Sequence, residues 1–181
     1  MRKVMVCGLL AIWLPVVLSI SAWAGWDPTR EQKEKDAVQE TIARFKKADS
    51  SMQVFFDKSY GYVVFPSVGK GGFIVGGAHG DGWVYEKGKF IGGASIVQVT
   101  VGAQIGGQSF MEIIFFKNKA ALDDFKQGNF ELNAQISAVA VTEGASKDAS
   151  YGHGVAVFTM PRKGLMAEAS VGGQKFEFIP K

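Results

Sequence analysis

Hydrophobic and polar positions along the chain change period twice. From Val4 to Ile20 the residues are almost all apolar. From about residue 28 to residue 56 the apolar positions Val38, Ile42, Phe45, Met52 and Phe55 recur at spacings of three, four and seven, with charge between them. That spacing predicts an amphipathic N-terminal helix. Asp27 before Pro28 offers a cap with proline in the first turn, and Thr29 and Gln32 stand at capping-box spacing. Asp49-Ser50-Ser51 is a point where the helix can break or bend.

Beyond residue 60 the period falls to about two. Strands are expected at Tyr60 to Phe65, stopped by Pro66, then at Phe73 to Ala78 and Trp83 to Glu86. Lys87-Gly88-Lys89 reads as a turn. Ser95 to Gln104 sets Ile96, Gln98 and Thr100 against Val97, Val99 and Val101, and Ser109 to Phe116 is rich in β-formers. One further helix interrupts: Asn118 caps it, Lys119 to Gln127 form its body, Gly128 ends it, and Leu122 and Phe125 anchor it. Leu132 to Val141 alternates again, and the small residues Thr142 to Ser150 suit a loop. The last strands fall at Gly154 to Met160, Leu165 to Val171 and Lys175 to Ile179. Pro161-Arg162-Lys163-Gly164 and Gly172-Gly173 serve as turns. Short connections favour an antiparallel meander, so the fold class is α+β with a mainly antiparallel sheet.

The interval Gly61 to Gly107 holds 14 of the 23 glycines. Glycine between apolar β-formers permits bulges and close backbone approach, which predicts a strongly curved sheet. A phosphate-binding loop does not fit. Upstream of Gly69-Lys70 the required glycine is Val64, and upstream of Gly88-Lys89 it is Trp83. Neither lysine is followed by Ser or Thr.

Composition changes the picture chiefly at the N-terminus. Arg2 and Lys3 precede the apolar run and Ala22-Trp23-Ala24 follows it, the pattern of a secretory signal peptide cleaved after Ala24. Residues 1–24 are then the signal and 25–181 one domain, with the helix at about 28–56 and a sheet-rich core at about 60–181. Removing the signal takes away Arg2 and Lys3, lowering the net charge from +3 to +1. No global field then draws the chain to nucleic acid. Cys7, the one cysteine, leaves with the signal, so no disulfide and no lipid-modified cysteine are expected. The expected location is outside the cytoplasm, periplasmic or extracellular, peripheral to a membrane.

Candidate chemistry is sparse. The two histidines are His79 and His153. A hydrolase reading would combine them with Asp81, but two solvated turn histidines account for them more simply. Asp123 and Asp124 are neighbours in a helix and point in different directions. We expect no catalytic residues, no metal and no cofactor. Basic residues suggest binding instead. Arg44, Lys46 and Lys47 cluster late in the N-terminal helix, and Lys70, Lys87, Lys89, Arg162 and Lys163 sit at turns. Together they could meet anionic headgroups. Against this, Gly25 to Asp49 carries six acids and six bases. A net-neutral helix suits packing on the sheet equally well.

Six segments in order carry a resemblance: G-Y-V-V-F-P, K-G-G-F-I-V-G-G, G-W-V-Y, V-G-A-Q-I-G-G-Q, F-K-Q-G-N-F-E-L and G-L-M-A-E-A-S-V-G-G-Q-K-F. From about Ala37 to Phe178 the chain resembles the SYLF-domain family, also described as a lipid-binding or yeast-type actin-binding domain. The resemblance implies a compact α+β domain with a curved, barrel-like sheet that binds anionic phospholipid, phosphoinositides in eukaryotic members. Some of those members also bundle actin. This chain has G-G-A-S near Ile91 to Ser95 where they carry W-S-x-P, so actin is not expected as a partner. The reading is a non-enzymatic, exported binder of anionic phospholipid. The alternative is a structural or interaction protein of the cell envelope without a lipid ligand.

Overall fold

The computed structural model describes residues 28–72, 75–101, 108–128, 131–132, 138–163 and 173–181. The signal-peptide segment and the strand expected at Leu165 to Val171 lie outside the described residues.

Helix α1 runs Pro28–Ala48. Val38, Thr41 and Phe45 are buried on one side, Ile42 is half-buried, and the charged positions from Lys33 to Asp36 are exposed. At Asp49 the backbone turns extended, with φ −145° and ψ 103°. Its buried carboxylate accepts from the Ser51 amide at 3.0 Å and so caps a short 3₁₀ turn, Ser50–Met52. Helix α2, Gln53–Lys58, follows. The one helix expected over 28–56 is therefore two. With α3, Lys119–Lys126, the described residues contain three helices where sequence suggested two.

The strands are β1 (Gly61–Gly72), β2 (Val75–Glu86), β3 (Lys89–Val101), β4 (Gln108–Phe116), β5 (Glu131–Leu132), β6 (Ala138–Ala140), β7 (Val155–Lys163) and β8 (Gln174–Pro180). They form one sheet in the order β5-β8-β3-β2-β1-β4-β7-β6. Every pairing is antiparallel except β6 with β7. Only β1 to β3 make the expected meander. β4 returns to the other side of β1, and β8 adds beside β3.

Three expectations need correction. Pro66 does not stop β1. It lies where the ladder slips, between Val64 and Ser67 towards β2 and between Phe65 and Val68 towards β4. A proline, lacking an N–H, is tolerated at such a bulge. His79-Gly80-Asp81 is not a turn but the middle of β2, paired with Val97, Ile96 and Ser95. Pro161 to Lys163 continue β7 rather than turning.

The sheet curls hard around one face. Phe65 of β1 and Phe176 of β8 have ring centroids 5.9 Å apart. Gln174 Nε2 of β8 donates to Glu112 Oε2 of β4 at 3.1 Å. Along the sheet β8 and β4 are four strand spacings apart, roughly 19 Å at about 4.8 Å each. Only curvature brings their side chains into contact. Glycine enables it: a Cβ on Gly82 would stand 2.6 Å from the Phe65 ring and from the Val64 carbonyl oxygen. The sheet is nevertheless not a closed barrel. Among the described residues β5 and β6 are its two edges, with no ladder between them. Six residue steps, from Leu132 to Ala138, span at most about 20 Å of chain. The opposite edges are therefore near each other, and among the described residues no pairing joins them.

Each face carries a core. The concave face buries Phe65, Phe110, Ile114, Phe116 and Phe176, with Leu122 and Phe125 of α3 closing one end. The convex face packs Val64, Ile113, Phe115 and Phe158 against Val38, Phe45, Met52 and Phe55 of the N-terminal helices. A fully buried side chain such as Phe45 contributes about 1.5–3 kcal/mol relative to exposure. The net-neutral N-terminal helix thus uses its apolar positions on the sheet.

Candidate functional surface

Register sorts the basic residues by the end of the sheet they occupy. The α3 end gathers the start of β1 with the ends of β2, β4 and β8, since Gly61 faces Glu86 and Phe116, and Gly92 faces Pro180. Lys87 and Lys89 lie there, around a two-residue turn in which Lys87 and Gly88 have φ 49° and 76°. Such positive φ values are those of the tight hairpin turn that matches sheet twist. Lys70, Arg162 and Lys163 lie at the far end, where Ser109 faces both Gly69 and Lys163. The eight basic residues singled out from sequence therefore do not form one patch. Arg44 is near Glu40, at 3.9 Å, and Lys47 is exposed on α1.

What the α3 end does assemble is a set of lysines over aromatic rings. Lys46 Nζ lies 4.5 Å from the Phe56 ring centre, Lys87 Nζ 5.1 Å from Tyr60, and Lys181 Nζ 5.6 Å from Phe90. Two of those rings end a strip that crosses the convex face. Phe56 packs edge-on against Tyr62 at 5.3 Å, Tyr62 stacks on Tyr85 at 4.9 Å, and Tyr85 meets Phe90 at 6.0 Å. Trp83 joins at 4.3 Å from Phe90. Phe56, Tyr62, Trp83 and Phe90 are half-buried. Burial pushes the Tyr85 phenol up to about 12, with a smaller contribution from Tyr62 beside it. Both rings therefore stay neutral at physiological pH. Tyr60 itself donates its hydroxyl to Glu86 at 2.8 Å, and Lys126 lies 3.8 Å from the other carboxylate oxygen.

The concave face holds a second polar group. Glu112 faces Thr159 across the β4–β7 ladder, and Gln98 faces Gln174 across β3–β8. All four are fully buried. Desolvation raises the Glu112 carboxyl to about 8 although Gln174 hydrogen-bonds it, so the protonated form predominates at neutral pH. Glu112 Oε1, Thr159 Oγ1 and Gln174 Oε1 have no hydrogen-bond partner among the described residues.

The hydrolase combination is not assembled. His79 Nε2 lies 3.8 Å from Asp81 Oδ1, both exposed, whereas His153 sits in the turn before β7 at the α3 end. His79 is seven residues up β2 from Glu86, about 23 Å at 3.3 Å per residue. Among the described residues no group of three His, Cys, Asp or Glu could hold a metal, and no helix is long and apolar enough to cross a membrane.

Sequence reasoning missed Lys181, Phe56 and Phe90 as partners in one surface. Their aromatic and basic character is visible, but only the β2–β3 and β3–β8 registers bring them together.

Curved sheet, packed helices and a surface of lysines over aromatic rings define a small α+β domain. Residues 97–178 match the family model described as "Ysc84: Las17-binding protein actin regulator". Beta cell expansion factor A of Aeromonas veronii is 30% identical over 137 residues, covering 75% of this chain and 52% of that protein. The chain belongs to the SYLF-domain family. It spans about half the length of the relative it matches.

Proposed function

We propose that this protein binds anionic phospholipid surfaces without catalysing a reaction, through the α3 end, where two lysines tip the aromatic strip and Lys87 stands over Tyr60 beside it. The observation that carries this reading is the placing of Lys46, Lys87 and Lys181 over Phe56, Tyr60 and Phe90. Aromatic rings with an apolar body and polar rim favour the headgroup level of a bilayer, and lysines reach the phosphates beyond. Each near-surface lysine adds about 1 kcal/mol on an anionic membrane. Three therefore contribute about 3 kcal/mol, enough for a partition coefficient roughly a hundredfold above that on neutral lipid. Family membership supports binding as the activity. The signal-peptide pattern of residues 1–24 supports a site of action outside the cytoplasm. Of the basic residues first singled out, Lys46, Lys87 and Lys89 belong to this surface in our reading, while Lys70, Arg162 and Lys163 do not.

Sedimentation with vesicles of graded anionic content is the test. The wild-type chain should pellet in proportion to anionic lipid, and the Lys46→Ala/Lys87→Ala/Lys181→Ala variant should lose about a hundredfold in partitioning. Equal pelleting with neutral vesicles, or an unaffected triple variant, would reject the reading.

A further inference from the structure

A pocket of about 370 Å³ opens between α2 and residues 146–151. Its apolar lining is Val54, Phe55, Ala149 and Tyr151, and its charged lining is Lys58 and Lys147. Val54 is 50% exposed, an unusual position for a large aliphatic side chain on a short helix. Both lysines are exposed, and no carboxylate lines the pocket. The adjoining acid is already committed. Asp49 accepts from the Ser51 amide and hydroxyl through Oδ1, and from the Ser146 amide through Oδ2 at 2.7 Å. The Ser51 and Ser146 hydroxyls, 2.6 Å apart, tie the two walls together. The pocket is thus braced by a buried network rather than by its own mouth.

Shape and charge narrow the occupant. The volume is at the low end of the roughly 300–1,000 Å³ typical of ligand sites. That holds one hydrocarbon chain, not the two of a diacyl phospholipid. An apolar floor with two cations and no anion is complementary to a molecule with one tail and one negative head. We propose that this pocket binds a single-chain anionic amphiphile, a fatty-acid carboxylate. The head lies between Lys58 and Lys147, and the chain lies along Val54, Phe55 and Tyr151. This site is separate from the aromatic strip and does not depend on it.

Isothermal titration of the full chain with sodium decanoate at pH 7.5, below its micelle concentration, tests the proposal. Acetate and inorganic phosphate serve as tail-less controls. The expected result is one saturable site per chain for decanoate and none for either control. Lys58→Ala/Lys147→Ala should weaken decanoate at least about tenfold, as should Val54→Asp. All these side chains are exposed, so far-UV circular dichroism should match wild type. Decanoate binding by the Lys46→Ala/Lys87→Ala/Lys181→Ala variant, none of whose residues lines the pocket, should be unchanged, which separates this site from the strip. Absence of saturable decanoate binding would overturn the proposal. So would an affinity within twofold of wild type in both variants, or acetate and phosphate competing as well as decanoate.

Discussion

Glu112 shows how much one buried side chain can set. Its carboxyl is raised by burial to about 8 from an ordinary 4.5, and the hydrogen bond from Gln174 only partly offsets that. Between those values the folded chain holds a proton that the unfolded chain releases. Its contribution to stability is therefore complete below about pH 4.5, declines as pH rises towards 8, and levels off above. The slope in that window is on the order of 1.4 kcal/mol per pH unit. Denaturant unfolding at pH 5, 7 and 9 should show this decline, and Glu112→Gln should flatten it and be the more stable chain at pH 8. Parallel profiles for the two proteins would exclude it. Asp49 behaves oppositely. Burial works to raise its carboxyl, but the hydrogen bonds from Ser51 and Ser146 outweigh burial and hold it well below the usual carboxylate range. Its contribution is complete above about pH 4 and is lost on stronger acidification.

Among the elements, β1 and β2 depend on each other most closely. Phe65 lies over β2 because Gly82 has no side chain, and Gly80 likewise makes room for the Ser67 carbonyl, which a Cβ would approach to 2.6 Å. Gly82→Ala should destabilise by about 1–3 kcal/mol through overpacking, read as a lower denaturant midpoint with an unchanged slope. A midpoint within error of wild type would mean that the bulge relaxes freely. These elements also show what could be read from sequence. Helix α3 was legible because its signals are local: Asn118 Oδ1 accepts from the Ala121 amide at 3.0 Å, and Gly128 has φ 72°. Helix α1 was legible because its period is. The break at Asp49 was visible as polar residues, but the carboxylate's hold on Ser146, 97 positions away, was not. Pro66 and His79-Gly80-Asp81 misled because whether a proline or a glycine interrupts a strand depends on what stands opposite. The proposed surface was legible by residue type and illegible by place: Lys70, expected at a turn, is paired within β1 as Arg162 and Lys163 are carried within β7, and only register assigns each basic residue to an end.

At the scale of the whole molecule, charge is local rather than global. The net charge is +3, and +1 once Arg2 and Lys3 are set aside. Any attraction to an anionic membrane must then come from a local patch rather than from the whole chain, and in our proposal that patch lies at the α3 end. Raising ionic strength from 0.05 to 0.5 M shortens the Debye length from about 14 to about 4 Å. Vesicle partitioning should fall at least about tenfold across that range, while decanoate affinity, with its chain along Val54, Phe55 and Tyr151, should fall less. Equal loss of both would mean that headgroup charge alone drives them. The curvature has a further outcome. The sheet's opposite edges are joined by a stretch of chain no longer than about 20 Å, so they act as one leashed pair. A neighbouring chain that paired with β5 would have to accommodate β6 and β7 close by, and uncurling the sheet would pull the leash taut. An open sheet ordinarily has two independent places from which a fibre can grow. Among the described residues the two edges of this one lie within that reach of each other, so a chain adding at either edge meets the other, which works against end-to-end polymerisation.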